Sequence, residues 1–359
     1  MKTSLRTLFL SAALTLGFWP ALATAQPFAY IGNVAEDSVS VVDTQSNTIV
    51  ETYAPVPTPR GVTVSPDGTR VYVASISDSV VTVIDTASGT VEASIAIDDS
   101  PQAVAVSPDG SRVYVATTLA DVVTVIDAAS NTVSGTIAVG DAPVGIVVSN
   151  DGERLYTANF NAGSVSVVDT ATESQIATVP VGNEAFMIEV SPDGSRVYVG
   201  NGADDSVSVI DTDALTEIAT IGVGAYPAGI AIAPDGSSVY VTNADGDSIS
   251  VIDTDAAATT ATIALPVSNS SGLGITPDGT RLYVVSETDN EVAVIDTATQ
   301  DVVDGIAVPS GSFNLGRFIG PDRGGSASAI SVPALDVWAT LLLILLAGLI
   351  ANRTLLAAR

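Results

Sequence analysis

Seven aspartates, Asp43, Asp85, Asp127, Asp169, Asp211, Asp253 and Asp296, each follow a Val-Val or Val-Ile pair at intervals of 42 or 43 residues. A carboxylate can serve as general acid or base, but seven equivalent copies do not describe one active centre. Asp at the end of a strand caps the turn that follows through its side-chain oxygens, and that is the expected role here. Arg70, Arg112, Arg154, Arg196 and Arg281 share one slot ahead of a recurring tyrosine strand, and lateral pairing with carboxylates is expected of them. The chain has no His and no Cys. That removes the commonest general base, the usual metal and axial haem ligand, any thiolate nucleophile and any disulfide. Asn243-Ala244-Asp245-Gly246-Asp247 alternates oxygen ligands and hints at Ca²⁺, but Thr254 stands where an EF-hand loop needs its Glu. An ordinary polar loop is expected, and no cofactor or metal is assigned.

Charge narrows the partners. Forty Asp and Glu face 12 Lys and Arg, for a net charge of -28. An acidic surface of that size repels phosphate backbones, which argues against nucleic acid. With 47% hydrophobic residues over 359 positions, the chain has ample material for a core.

The elements that must position these side chains come from repetition. Tyr30, Tyr72, Tyr114, Tyr156, Tyr198, Tyr240 and Tyr283 recur in step with the aspartates. Ser-Pro-Asp-Gly or a close variant precedes all but the first of them, as at Ser65 to Gly68. Each unit reads as four short strands, for example Val62-Thr63-Val64, Val71-Tyr72-Val73, Val80 to Ile84 and Val91 to Ile97. Their dense Val and Ile predict strands covered on both faces, as in radially stacked sheets. Four strands in about 40 residues predict an all-β, seven-bladed β-propeller. The first blade lacks its inner strand, and Leu315 to Asp322 resembles Arg60 to Asp67. A C-terminal strand should therefore complete the N-terminal blade and close the ring without a free edge.

In a repeat fold, function lives where the repeats differ. The loop entering each inner strand carries Pro59, Pro101, Pro143 and Pro227, replaced elsewhere by Ala185, Ser270 and Asn314. Around it stand the divergent residues Arg60, Gln102, Glu184, Phe186, Tyr226, Asn269 and Phe313, with Met187 beside them. A propeller gathers these loops at one end of its central channel, so they are the candidate ligand mouth. The leading reading is a non-catalytic binding or scaffold module. Two readings stay open beside it: a hydrolase or lactonase-like enzyme using carboxylates and Arg60, and a surface-coat subunit.

The two ends read as addresses. Lys2 and Arg6 precede an apolar run from Leu8 to Trp19, and Ala23-Thr24-Ala25 offers a signal-peptidase site. Residues 1–25 are expected to be a signal peptide, 26–323 the propeller and 324–331 a Gly/Ser-rich linker. Within 332–359, Val337 to Ala351 would form a transmembrane helix of about 22 Å, with Arg353 and Arg359 favouring a cytoplasmic end.

Two resemblances sharpen these expectations. Tyr240-Val241-Thr242-Asn243, with the Val-Ile-Asp-Thr and Ser-Pro-Asp-Gly elements across residues 28–322, resembles the YVTN-repeat β-propeller family. The resemblance implies an envelope or cell-surface propeller, and says little about activity. Val332-Pro333-Ala334-Leu335 and Trp338, then the apolar stretch and basic end, resemble the IPTL-type sorting signal. Asp336 stands where that family usually has Ser. This second resemblance implies an exosortase-like sorting enzyme as a partner. It also implies residence in the periplasm or at the cell surface of a Gram-negative bacterium, tethered at least transiently. The partner at the mouth would be an envelope protein, a glycan or a small ligand.

Overall fold

The computed structural model describes residues 27–321. The signal peptide, linker, sorting motif and transmembrane helix expected at the two ends lie outside the described residues. Among the described residues, no helix is long and apolar enough to cross a membrane.

Seven antiparallel sheets form the blades; six run in chain order from inner to outer strand, and the first takes its inner strand from the C-terminal segment. In the second blade the strands are Pro59–Val64, Arg70–Ser75, Val80–Asp85 and Thr90–Ala96. The two middle strands are buried almost throughout, whereas Thr90–Ala96 exposes most of its residues to solvent. The unbroken Val and Ile runs follow from this position, since each middle strand is sandwiched between neighbouring blades. All seven recurring tyrosines are buried.

The turns bear out the capping role of the repeated aspartates. Asp85 Oδ1 accepts the N–H and hydroxyl of Ser88, both at 2.8 Å, and Asp43, Asp127, Asp169, Asp211, Asp253 and Asp296 cap the same turn. In the Pro-Asp-Gly turn, Gly68 adopts φ 71 and its N–H donates to the Ser65 carbonyl at 2.9 Å. That left-handed backbone is why the turn ends in Gly. Of the five repeated arginines, Arg70, Arg112 and Arg281 do pair with carboxylates, Glu92, Glu173 and Asp296. The slot has a second use as well. Arg70 and Arg196 donate Nη1 to the next blade's carbonyls, at Ala128 (2.8 Å) and Thr254 (2.7 Å), and Arg154 does so at Thr212.

The ring closes through the C-terminal segment. Ser312–Phe313 and Ile319–Gly320 both pair antiparallel with Phe28–Asn33, and the Tyr30 N–H donates to the Phe318 carbonyl at 2.9 Å. Across the same seam the Tyr283 hydroxyl donates to the Thr44 carbonyl at 3.0 Å.

One expected register is corrected. Ser312, not Asn314, is the counterpart of Pro59, because Ser312 pairs with Asn33 as Pro59 pairs with Ser75. Seven positions separate Ser312 from Ile319, where the matching Pro59 and Val64 are five apart. The surplus leaves the sheet and enters the channel. Leu315 donates to the Arg60 carbonyl and accepts from Val62 N–H, each at 3.0 Å, so the segment runs parallel beside the inner strand of the second blade. Asn314 makes this departure possible. Its Nδ2 donates to the Tyr30 carbonyl (2.7 Å) and its Oδ1 accepts the Gly32 N–H (2.8 Å), replacing with a side-chain amide the ladder bonds the backbone has left. Gly316, at φ 111, supplies the turn that other residues rarely adopt. Leu315 is fully buried and clusters with inner-strand side chains of the third to sixth blades, such as Ala103, Val144, Met187 and Ile230, so it plugs the channel.

Candidate functional site

The plug divides the central channel into two ends. At the upper end the chain enters each inner strand. At the lower end lie the Pro-Asp-Gly turns and both termini of the described chain, since Phe28 pairs with Gly320.

Before every inner strand stands a residue with positive φ: Thr58, Ser100, Ala142, Glu184, Tyr226, Asn269 and Gly311. Such a conformation is uncommon outside Gly, so something must hold it. Side chains on the preceding hairpin do so at several blades. Asp37, Asp121 and Asp205 accept the N–H groups of Thr58, Ala142 and Tyr226 at 2.9, 2.9 and 3.0 Å. Part of the acidity of the upper loops is therefore structural.

The predicted mouth residues all lie at this upper end, but they form two groups rather than one circle. The first group spans the seam. The Arg60 guanidinium lies 4.2 Å from the centre of the Phe313 ring, and Phe313 itself is buried beneath it. Burial lowers the Arg60 pKa from its usual value, while the nearby Glu287 carboxylate pushes it back up. Asn269 Nδ2 donates to Glu287 Oε2 at 3.2 Å, which ties Asn269 to the same group. Gln102 takes the Arg60 position in the next blade and is half-buried.

The second group spans the fourth to sixth blades. Phe160, Phe186 and Tyr226 form a run of rings with centroids 6.1 and 6.3 Å apart. Tyr226 is fixed at both backbone groups, since its carbonyl also accepts the Ala244 N–H at 2.9 Å. Glu184 stands beside it: a Cβ built on Gly202 would lie 3.0 Å from the Tyr226 ring and 3.4 Å from Glu184 Oε2. Gly202 is thus the space both side chains share. Partial burial raises the Tyr226 phenol pKa, and the Glu184 and Asp245 carboxylates raise it further, so the hydroxyl stays a donor. Phe160 escaped sequence reasoning. It follows Tyr156-Thr157-Ala158-Asn159 where other repeats carry Gly202 or Ala244, and that contrast was the available signal.

Arg60 is the one basic side chain of the upper end among the described residues. Five of the others begin second strands at the lower end, and Arg317 lies under the plug. Carboxylates meanwhile ring the upper loops at Asp37, Asp78, Asp121, Asp205, Asp247 and Asp289. Rings with electron-rich faces, a carboxylate and a negative surround can attract a cation. The Asn243 to Asp247 loop supplies little toward Ca²⁺, because buried Asn243 turns its amide inward to Ser248 and Ser250, both at 3.0 Å.

A family model described as a YNCE-like beta-propeller matches residues 181–311. A second, described as a lactonase, 7-bladed beta-propeller, matches residues 85–181. No curated protein matches the chain in sequence. Among solved structures, hydrazine synthase of Kuenenia stuttgartiensis is similar over 72% of this chain and 88% of its own, with TM-score 0.64 and 23% identity. A functionally unknown protein from Desulfotomaculum acetoxidans is similar over 83% and 99%, with TM-score 0.72 and 18% identity. The dihydro-heme d1 dehydrogenase NirN, solved in complex with DHE, is similar over 80% and 75%, with TM-score 0.61 and 18% identity. At these identities the likeness is one of fold.

Proposed function

We propose that the chain is an exported propeller held at the cell envelope, working as a binding module that receives a basic group through Glu184, Phe186 and Tyr226. One observation carries this reading. A fixed run of aromatic rings shares its space with a carboxylate, on an end of the molecule where Arg60 is the sole cation among the described residues. Rigid aromatics give contact area at low entropic cost, and stacking against Arg or Lys adds to the charge attraction. The plug at Leu315 makes the upper end a shallow floor rather than a tunnel, which suits a side chain presented by a larger partner. Titrating the protein with a short Arg-rich peptide tests the reading. Micromolar binding, weakened about tenfold or more by Tyr226→Ala or Phe186→Ala, supports it. Equal affinity for a Glu-rich peptide overturns it.

The match to the lactonase family model favours a second reading, a hydrolytic enzyme of the same end. Turnover in a lactone panel, abolished by Arg60→Ala or Glu184→Gln in a protein that still melts cooperatively, would establish it over the first.

A further inference from the structure

Below the plug, at the end opposite the aromatic run, the channel opens into a chamber of about 540 Å³. That is within the range of small-molecule sites, roughly 300–1,000 Å³. Its wall is built from the lower halves of the inner strands, with residues such as Val106, Ile146, Val148, Ile232 and Leu273. Against this apolar lining stand two charged side chains, Glu189 and Arg317. The other inner strands have Thr63, Ala105, Val147, Ala231 and Gly274 where Glu189 stands, so the fold itself has no need of a carboxylate there. Nor does the plug need the guanidinium, because its hold on the second blade is made by the backbone of Leu315 and Arg317. A carboxylate largely withdrawn from water is costly to desolvate, and no other blade requires one at this position.

The pair is unequal. Arg317 Nε donates to Glu189 Oε2 at 3.1 Å and its Nη2 to Oε1, while the Val190 N–H also donates to Glu189 Oε1, at 3.0 Å. Glu189 is thereby occupied, and its side chain is 14% exposed. Arg317 is 54% exposed, and its Nη1 has no partner among the described residues. What the chamber offers an incoming molecule is donor capacity and apolar surface. We propose that this chamber binds an amphipathic organic anion, an apolar body ending in a single carboxylate, with Arg317 holding the head group. A guanidinium fork matches a carboxylate edge, and an apolar body gains from leaving water for the Val, Ile and Leu wall. The site is independent of the aromatic run and of the function proposed for it.

Glu189 then has a definite second role. It neutralises Arg317 when the chamber is empty and competes with the ligand when it is filled, so the two residues should affect binding in opposite directions. The test is calorimetric titration of the full chain with decanoate, decanol and decylamine below their aggregation concentrations. Decanoate should bind most tightly. Arg317→Gln should weaken it by about tenfold, the scale of one lost charge-assisted contact, and Glu189→Gln should tighten it several-fold. The Glu189→Gln gain keeps the test decisive should Arg317→Gln disturb the plug, and melting curves report that disturbance. Equal binding of decanoate and decanol, a preference for decylamine lost in Glu189→Gln, or no binding by any of the three would overturn the proposal.

Discussion

At the scale of single residues, identical chemistry splits by position. The repeated aspartates were legible as caps because they recur, and every one is held by the turn it closes. Asp109, the carboxylate of the Pro-Asp-Gly turn in the third blade, is held in a similar way and shows the consequence for pH. The Ser107 hydroxyl at 2.6 Å, then the Ser111 N–H at 3.0 Å and its hydroxyl at 2.8 Å, hold its carboxyl below the usual aspartate value. A group whose pKa is depressed by folding stabilises the fold above the unfolded pKa and loses that contribution as pH falls through the folded one. Asp109→Asn should therefore be less stable than the parent at pH 7, and the gap should shrink as the pH falls below the unfolded aspartate value of about 3.9, being clearly smaller at about pH 2. Denaturant melts at the two pH values check it. Glu184 and Tyr226 are of the other kind, since nothing in the turn or strand uses their side chains. Gly202→Ala should push the Tyr226 ring out of its shared space and weaken Arg-peptide binding several-fold with little change in melting temperature. Unchanged affinity would mean the ring placement is immaterial.

At the scale of elements, the closing segment is where sequence and structure part company. Its existence could be read from the missing first inner strand and from the likeness of Leu315 to Asp322 with Arg60 to Asp67. Its path could not be read from that likeness, because a match anchored on Gly316 and Pro321 hides the two surplus residues between Ser312 and Ile319. Counting from the aspartates would have exposed them, since Pro59 follows Asp43 by the same interval as Ser312 follows Asp296. The chamber was illegible for the same reason: Glu189 and Arg317 meet only once the surplus is pushed into the channel. Asn314 is the element's pivot, a side chain standing in for a strand. Asn314→Leu keeps the volume but strands the Tyr30 carbonyl and the Gly32 N–H, both buried. Each unsatisfied group costs about 1–3 kcal/mol, so the variant should lose roughly 2–6 kcal/mol. Phe318→Ala, which empties a fully buried site beside Tyr30, should cost about 3–5 kcal/mol. Chemical denaturation measures both, and a loss under 1 kcal/mol in each would mean the seam contributes little to holding the ring.

At the scale of the whole molecule, the ring is polarised along its axis. Both termini of the described chain, five of its arginines and the chamber lie toward the lower end, while the upper loops carry the aromatic run and a single cation, Arg60; carboxylates stand at both ends, offset by arginines only at the lower one. A tether leaving from Pro321 would hold the lower face toward its anchor and leave the upper face outward, where a partner could reach it. The excess of negative charge, -28 over the whole sequence, acts on the two faces differently. Over the upper face it draws cations in from a distance, an effect screened beyond about 10 Å at 0.1 M salt. Inside the chamber Glu189 and Arg317 balance each other and the rest of the lining is largely apolar, so the long-range field has less to act on there. Raising the salt from 0.05 to 0.5 M should therefore slow association of an Arg-rich peptide by about tenfold or more, while decanoate affinity holds constant or rises as apolar transfer becomes more favourable. Stopped-flow and calorimetry on one preparation give both. If the two ligands responded to salt alike, the ends of the ring would share one electrostatic environment, and the division of labour between a charged outer floor and an apolar inner chamber would fail.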